Sequence, residues 1–253
     1  MNKISPANLR KSDTNQYTNI TEYYDLWVTS GYYDYQIMAK DANLTIGDGR
    51  KILELGVGTG LLAQKYLEVD PTCEFTGIDF TASLLEIAQQ RLGKKANLIE
   101  ADAVTMNLNQ KYDAAISNGG VWGVLDLGDQ DQWEFGGHVS GVANNLQGLK
   151  NLSAHLKKDG LLLLHLQKPH NDYDKLLADG ITYSQSVQKI EETLDYRTLQ
   201  KNYFFKRDQE ILAQEQITIT CFKADTSQRI LSEAGFHLQG TSKNDKFAIY
   251  QKV

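Results

Sequence analysis

The chain has 253 residues, 41% of them hydrophobic and 23% charged, which is enough apolar material for one sizeable buried core. Its 26 Lys and Arg against 32 Asp and Glu leave a net charge of −6, with basic residues only in short pairs such as Lys157-Lys158. No concentrated positive surface of the kind a phosphate backbone demands is present, so nucleic acid is not an expected partner.

Two cysteines, Cys73 and Cys221, are too few and too far apart for a disulfide framework. The start of the chain is polar with no apolar leader, and no run approaches the roughly 18 apolar residues of a membrane span. A cytoplasmic chain is expected. Residues 1–18 are expected to form a flexible N-terminus, with a single domain over 19–253. Within it, 19–46 reads as a helical cover rich in aromatics, including Tyr23, Tyr24 and Trp27, and broken by Gly31. Regular alternation then begins, with strands at 51–55 and 74–79 separated by a helix at 61–69. Thr81 opens a further helix, and strands follow at 97–100 and 112–117. A glycine-rich segment at 118–141 leads to a helix ending near Leu156, and the turn Lys158-Asp159-Gly160 opens the most apolar strand, 161–167. Strand and helix in this rhythm imply a parallel sheet with helices on both faces. The rhythm stops after Pro169: 178–223 reads as a small antiparallel insert, followed by a helix near 227–234 and two last strands.

The stretch Glu54-Leu55-Gly56-Val57-Gly58-Thr59-Gly60 stands where the first strand enters the first helix of that alternation. Glycines there allow close backbone approach to a ligand, and the helix start adds free N–H donors. A dinucleotide fingerprint spaces its glycines G-x-G-x-x-G for a pyrophosphate; here the third glycine comes one residue early, and Glu54 would repel an anion. A ligand with a cationic or amino-bearing head suits this loop better. Asp79, nineteen residues beyond Gly60, ends the second strand and can accept from both hydroxyls of a ribose, with Phe80 beside it for an adenine face. Asp102, followed by Ala103 after the third strand, can accept from an exocyclic amine. Each acid alone is more simply a helix cap or a solvated strand end. Their order at successive strand ends points to adenosine.

The segment 52–63 resembles the first motif of class I S-adenosylmethionine-dependent methyltransferases. Gly77-Ile78-Asp79, Ala101-Asp102-Ala103, 112–117 and 156–164 resemble the later motifs in the same order. The resemblance implies an α/β fold: a Rossmann-like, seven-stranded, mostly parallel sheet with helices on both faces, an antiparallel last strand and the small antiparallel insert. It also implies S-adenosylmethionine as cofactor, with Glu54, Gly56, Gly58 and Gly60 around its methionine part. Ribose then falls to Asp79, adenine to Phe80, Asp102 and Ala103, and backbone contacts to Ser117 or Asn118.

Within that family the chain is similar to the glycine/sarcosine N-methyltransferase group, in its aromatic N-terminal stretch, Leu149-Lys150-Asn151-Leu152, Tyr173-Asp174 and the late insert. It departs where that group holds a substrate carboxylate by arginine, since Asn171 stands there, and where it has an asparagine, since Gly120 does. The expected acceptor is therefore a bulkier, less anionic small molecule than glycine, methylated on nitrogen or oxygen. Tyr23, Tyr24, Trp27 and Trp122 are the candidate substrate contacts; Trp122 is equally a core plug. His138 and His170 are the candidate bases, because a histidine poised near neutral pH can take a proton. His165 reads as packed and His155 and His237 as surface. No spacing of His, Cys and Asp forms a metal-ligand set. Two other readings stay open, a non-catalytic S-adenosylmethionine-binding regulatory module and a nicotinamide oxidoreductase.

Overall fold

A computed structural model of the chain describes residues 16–126 and 133–253. The expected flexible tail lies mostly outside the described residues. Its last part is ordered: Tyr17–Ile20 forms a 3-10 turn leading into α1 (Thr21–Val28), and α2 (Tyr35–Ile46) follows after Gly31, which turns the chain at φ +98°.

The alternating unit then runs β1 (Lys51–Leu55), α3 (Leu61–Val69), β2 (Glu74–Asp79), α4 (Ala82–Leu92), β3 (Asn97–Glu100) and β4 (Tyr112–Ser117). After β5 (Gly123–Asp126) and β6 (Trp133–Gly137) come α5 (Val142–His155) and the twelve-residue β7 (Leu156–Gln167). The last elements are β8 (Tyr173–Leu176), β9 (Thr182–Glu192), β10 (Tyr196–Arg207), β11 (Glu210–Phe222), α6 (Ala224–Glu233), β12 (Phe236–Thr241) and β13 (Phe247–Lys252). Strands β3, β2, β1, β4 and β7 lie side by side in parallel; β13 joins β7 antiparallel, and β12 pairs with β13.

Side chains alternate across this sheet with period two. Leu53 and Leu55 of β1 and Leu162 and Leu164 of β7 pack on one face with Leu149, Leu152 and Ile230 from α5 and α6. Ile52 and Leu163 point the other way, against Met38, Ala42 and Leu62 of α2 and α3. Helices therefore cover both faces, each held by fully buried aliphatic side chains at roughly 1.5–3 kcal/mol apiece.

The count of seven strands is too small. Strand β7 outlasts its pairing with β4 and β13, and its end residues Leu166 and Gln167 pair with Val124 and Leu125 of β5. Through β5 the hydrogen bonding continues to β6, β11, β10, β9 and β8, so one sheet holds thirteen strands. The hairpin of β5 and β6 lies inside the segment that reads as a glycine-rich loop. Its glycines belong to the strand: a Cβ on Gly137 would stand 2.0 Å from the Val121 carbonyl oxygen, and one on Gly136 2.4 Å from that of Thr220. They let neighbouring backbone approach. A third cluster joins α1 to the extended sheet, with Ile20, Trp27 and Val28 on Tyr183, Tyr203 and Phe205.

Candidate active site

The strand-to-helix loop after β1 is built by backbone. The N–H groups of Gly56 and Val57 both donate to the Ile78 carbonyl at 2.9 Å, which ties the loop to the end of β2. Gly56, Gly58 and Gly60 all take positive φ. At Gly60 a side chain would also meet Leu92 of α4, whose Cδ1 lies 2.9 Å from the Cβ position.

Asp79 is buried at the end of β2. One carboxylate oxygen accepts from Gly58 N–H at 2.9 Å and the other from Thr81 N–H at 2.8 Å. Burial raises its pKa despite these two bonds. A carboxylate offers about four lone-pair directions, so two acceptor sites remain, enough for a vicinal diol. Glu54 is buried as well, and its Oε2 has no hydrogen-bond partner among the described residues. Burial, then the Asp79 charge, pushes its pKa well above the usual carboxylate range. The Asn118 side-chain oxygen is also buried without a hydrogen-bond partner among the described residues. Orphaned acceptors beside a glycine loop fit a ligand bringing an ammonium group and hydroxyls; a pyrophosphate would bring only more acceptors. Arg91 does not alter that balance, because its guanidinium is already paired with Asp25 and donates to the Thr59 carbonyl.

A cleft opens at this point. Gly56, Gly58, Asp79, Phe80 and Asn118 line it. Tyr24 and Trp27 of α1 line its roof, and the Tyr24 hydroxyl lies 3.7 Å from the Cβ position of Gly58. Helix α1 is fastened there by Thr59 Oγ1, which donates to Asp25 at 2.6 Å, and by Thr21 Oγ1 and Ser83 Oγ at 2.8 Å.

The other expected residues stand apart. Tyr23 stacks on Phe205 at 5.1 Å, away from the cleft. Trp122 is fully buried in the core beside α5, where its indole N–H donates to Asn145 Oδ1 at 2.8 Å. A buried indole needs such a partner, and with one it serves as the core plug and not as a cleft wall. Ser117 is bonded through Oγ to both the carbonyl and the N–H of Trp122. Asp102 lies exposed beyond β3, one oxygen accepting from Val104 N–H, with Ala103 buried behind it; neither lines the cleft. His155 departs from its expected surface position: it is buried, and its Nε2 accepts from Leu108 N–H.

His138 and His170 both line the cleft. Neither is poised near neutral pH. Burial, and then the Lys201 charge, lowers His138 to about 3 and His170 well below its usual value, so both rings are neutral. His138 Nε2 lies 3.2 Å from the Tyr17 hydroxyl, and His170 Nε2 2.9 Å from Gln167 Oε1. Among the lining residues not singled out from sequence are Tyr17, Lys201 and Tyr203. A sequence signal exists for Lys201. It shares strand parity with Tyr203 and Phe205, so a charged residue sits on an apolar face.

Residues 52–160 match the family described as Methyltransferase domain, a little under half of the chain. The malonyl-[acyl-carrier protein] O-methyltransferase of Bacillus cereus is 30% identical over 161 residues, 63% of this chain and 51% of that protein. The chain thus spans about half the length of that curated relative. The sugar N-methyltransferase KedS8 from Streptoalloteichus superposes at a TM-score of 0.67 over all of this chain and 98% of its own, at 15% identity. CalS10, an amino pentose methyltransferase from Micromonospora echinaspora solved with S-adenosylmethionine bound, superposes at 0.66 over 92% of this chain and 97% of its own, at 17% identity. At these identities the likeness is one of fold.

Proposed function

We propose that the chain transfers a methyl group from S-adenosylmethionine to a nitrogen or oxygen of a small-molecule acceptor, with nitrogen the first atom to test. The observation that carries the reading is the meeting of an acidic glycine loop, a buried ribose-type carboxylate and an aromatic roof in one cleft. When bound, S-adenosylmethionine supplies an electrophilic methyl on a sulfonium. Asp79 accepts from its ribose hydroxyls, Phe80 lies against the adenine, and Glu54 and Asn118 receive its ammonium group.

Tyr24 and Trp27 exclude water, and excluding water strengthens every polar contact inside. A neutral amine attacks directly once held about 3–3.5 Å from the methyl carbon, so positioning does most of the work. His138 and His170, as neutral rings, orient the acceptor by hydrogen bonding. The match to a protein named for carboxyl-bearing malonyl acceptors keeps oxygen in play, and the superposition on two amino-sugar or sugar methyltransferases keeps nitrogen. A panel of small amines, hydroxy compounds and carboxylates incubated with tritiated-methyl S-adenosylmethionine tests the reading. Label should pass to at least one panel member and not to tRNA. Efficient tRNA labelling with an inert panel would contradict it.

A further inference from the structure

The cleft is lined by a group of bases as well as by the glycine loop. Lys201 of β10 is only 1% exposed, yet it lines the cleft with His138 and His170. Its ammonium stands over the Tyr203 ring, 5.1 Å from the centroid, and has no ion pair or hydrogen bond among the described residues. Its strand neighbours, Val187 on β9 and Ile217 on β11, carry no charge. The titratable groups that line the cleft with it are His138, His170, Asp79 and five tyrosines, Tyr17, Tyr24, Tyr32, Tyr33 and Tyr203. Asp79, the acid that lines the cleft among the described residues, holds the glycine loop, and Glu215 accepts from Asn19 N–H. A fully buried lysine without a counter-ion is costly, and lysines are almost never buried so unless paired. The His170 Nδ1 beside it is also buried without a partner among the described residues.

We propose that Lys201 anchors a carboxylate on the acceptor, with His170 as a second hydrogen-bonding partner. The proposal rests on the methyl-transfer reading and narrows its substrate class to acids, where the sequence alone led to the expectation of a less anionic acceptor. Asn171, where the resembled group carries an arginine, is neutral, whereas Lys201 brings a positive charge into the cleft from the antiparallel strands. Burial holds the Lys201 ammonium down to about 7. An arriving carboxylate supplies the missing counter-charge and raises that value, so binding takes up a proton above pH 7. The aromatic roof favours an acid with a flat apolar body.

Benzoate, benzamide and benzylamine are isosteric probes for this test, titrated calorimetrically with and without saturating S-adenosylhomocysteine. Benzoate should bind at least tenfold more tightly than either neutral or cationic probe at pH 7. Its affinity should fall as pH rises from 7 to 9. Lys201→Met, which keeps the side-chain length and apolar burial, should abolish both the preference and the pH dependence without lowering the melting temperature. Lys201→Arg should retain part of the preference. Equal binding of benzoate and benzamide, or a preference that survives in Lys201→Met, overturns the proposal. Loss of S-adenosylhomocysteine binding in the wild type would instead overturn the methyl-transfer reading, and the benzoate preference is read in its absence as well.

Discussion

Asp79 and Glu54 do different work at adjacent strand ends. Asp79 already accepts two backbone N–H groups, so replacing it by alanine removes a charged acceptor from the ligand and a tie from the loop. Asp79→Ala should weaken S-adenosylhomocysteine binding by about 1.5–3 kcal/mol, roughly 10- to 150-fold, while the melting transition stays cooperative. Unchanged affinity per folded molecule would leave Asp79 a purely structural residue. Glu54 is an internal carboxyl with an orphaned oxygen, and burial raises its pKa. Its contribution to stability is therefore full below the unfolded value of roughly 4.3 and is lost as pH rises through the raised folded value. The ligand-free Glu54→Gln protein should be more stable than wild type at pH 7–8, and the gap should close toward pH 4 in paired denaturant titrations. The same variant should bind S-adenosylmethionine more weakly, having lost the charge that faces its ammonium group. Asp79, Phe80 and the glycines were legible because strand, loop and helix place them locally. Lys201 was not, because its burial depends on strands paired across the insert, and Trp122 was ambiguous until Asn145 supplied its partner.

The N-terminal helix is the element that completes the cleft, and two kinds of contact hold it. Arg91 and Asp25 form a partly buried ion pair, still open enough to solvent for screening to hold it to about 1 kcal/mol. Trp27 is 4% exposed, inserted among Tyr183, Tyr203 and Tyr32, and truncating a buried Trp costs about 3–5 kcal/mol. Packing thus outweighs the ion pair in keeping α1 down. Trp27→Ala should lower stability by that amount in chemical denaturation. Asp25→Asn should change stability by less than about 1 kcal/mol but speed S-adenosylhomocysteine release in stopped-flow displacement, because Asp25 also holds Thr59 in the loop. An equal stability loss in both variants would refute this division. Helical periodicity and Gly31 made the two N-terminal helices readable; where they pack was not, since the insert that receives Trp27 is more than 150 residues later in sequence.

Across the whole molecule, the parallel half of the sheet was legible from the strand-helix rhythm, since each strand's apolar face pairs with a helix nearby. Its extension to thirteen strands was not. That depends on the last two residues of β7 and on Gly136 and Gly137, whose lack of side chains reads as loop but serves close pairing. The extension carries Lys201 and Tyr203 to the cleft that the glycine loop and Asp79 also line, so both parts of the sheet build it. Calorimetry with S-adenosylmethionine, S-adenosylhomocysteine and NAD on the wild-type chain tests this account most directly. The account predicts binding of the first two on the order of 1–100 μM, about −8 to −5.5 kcal/mol, and no heat with NAD. Tight NAD binding with no response to either sulfur ligand would contradict it.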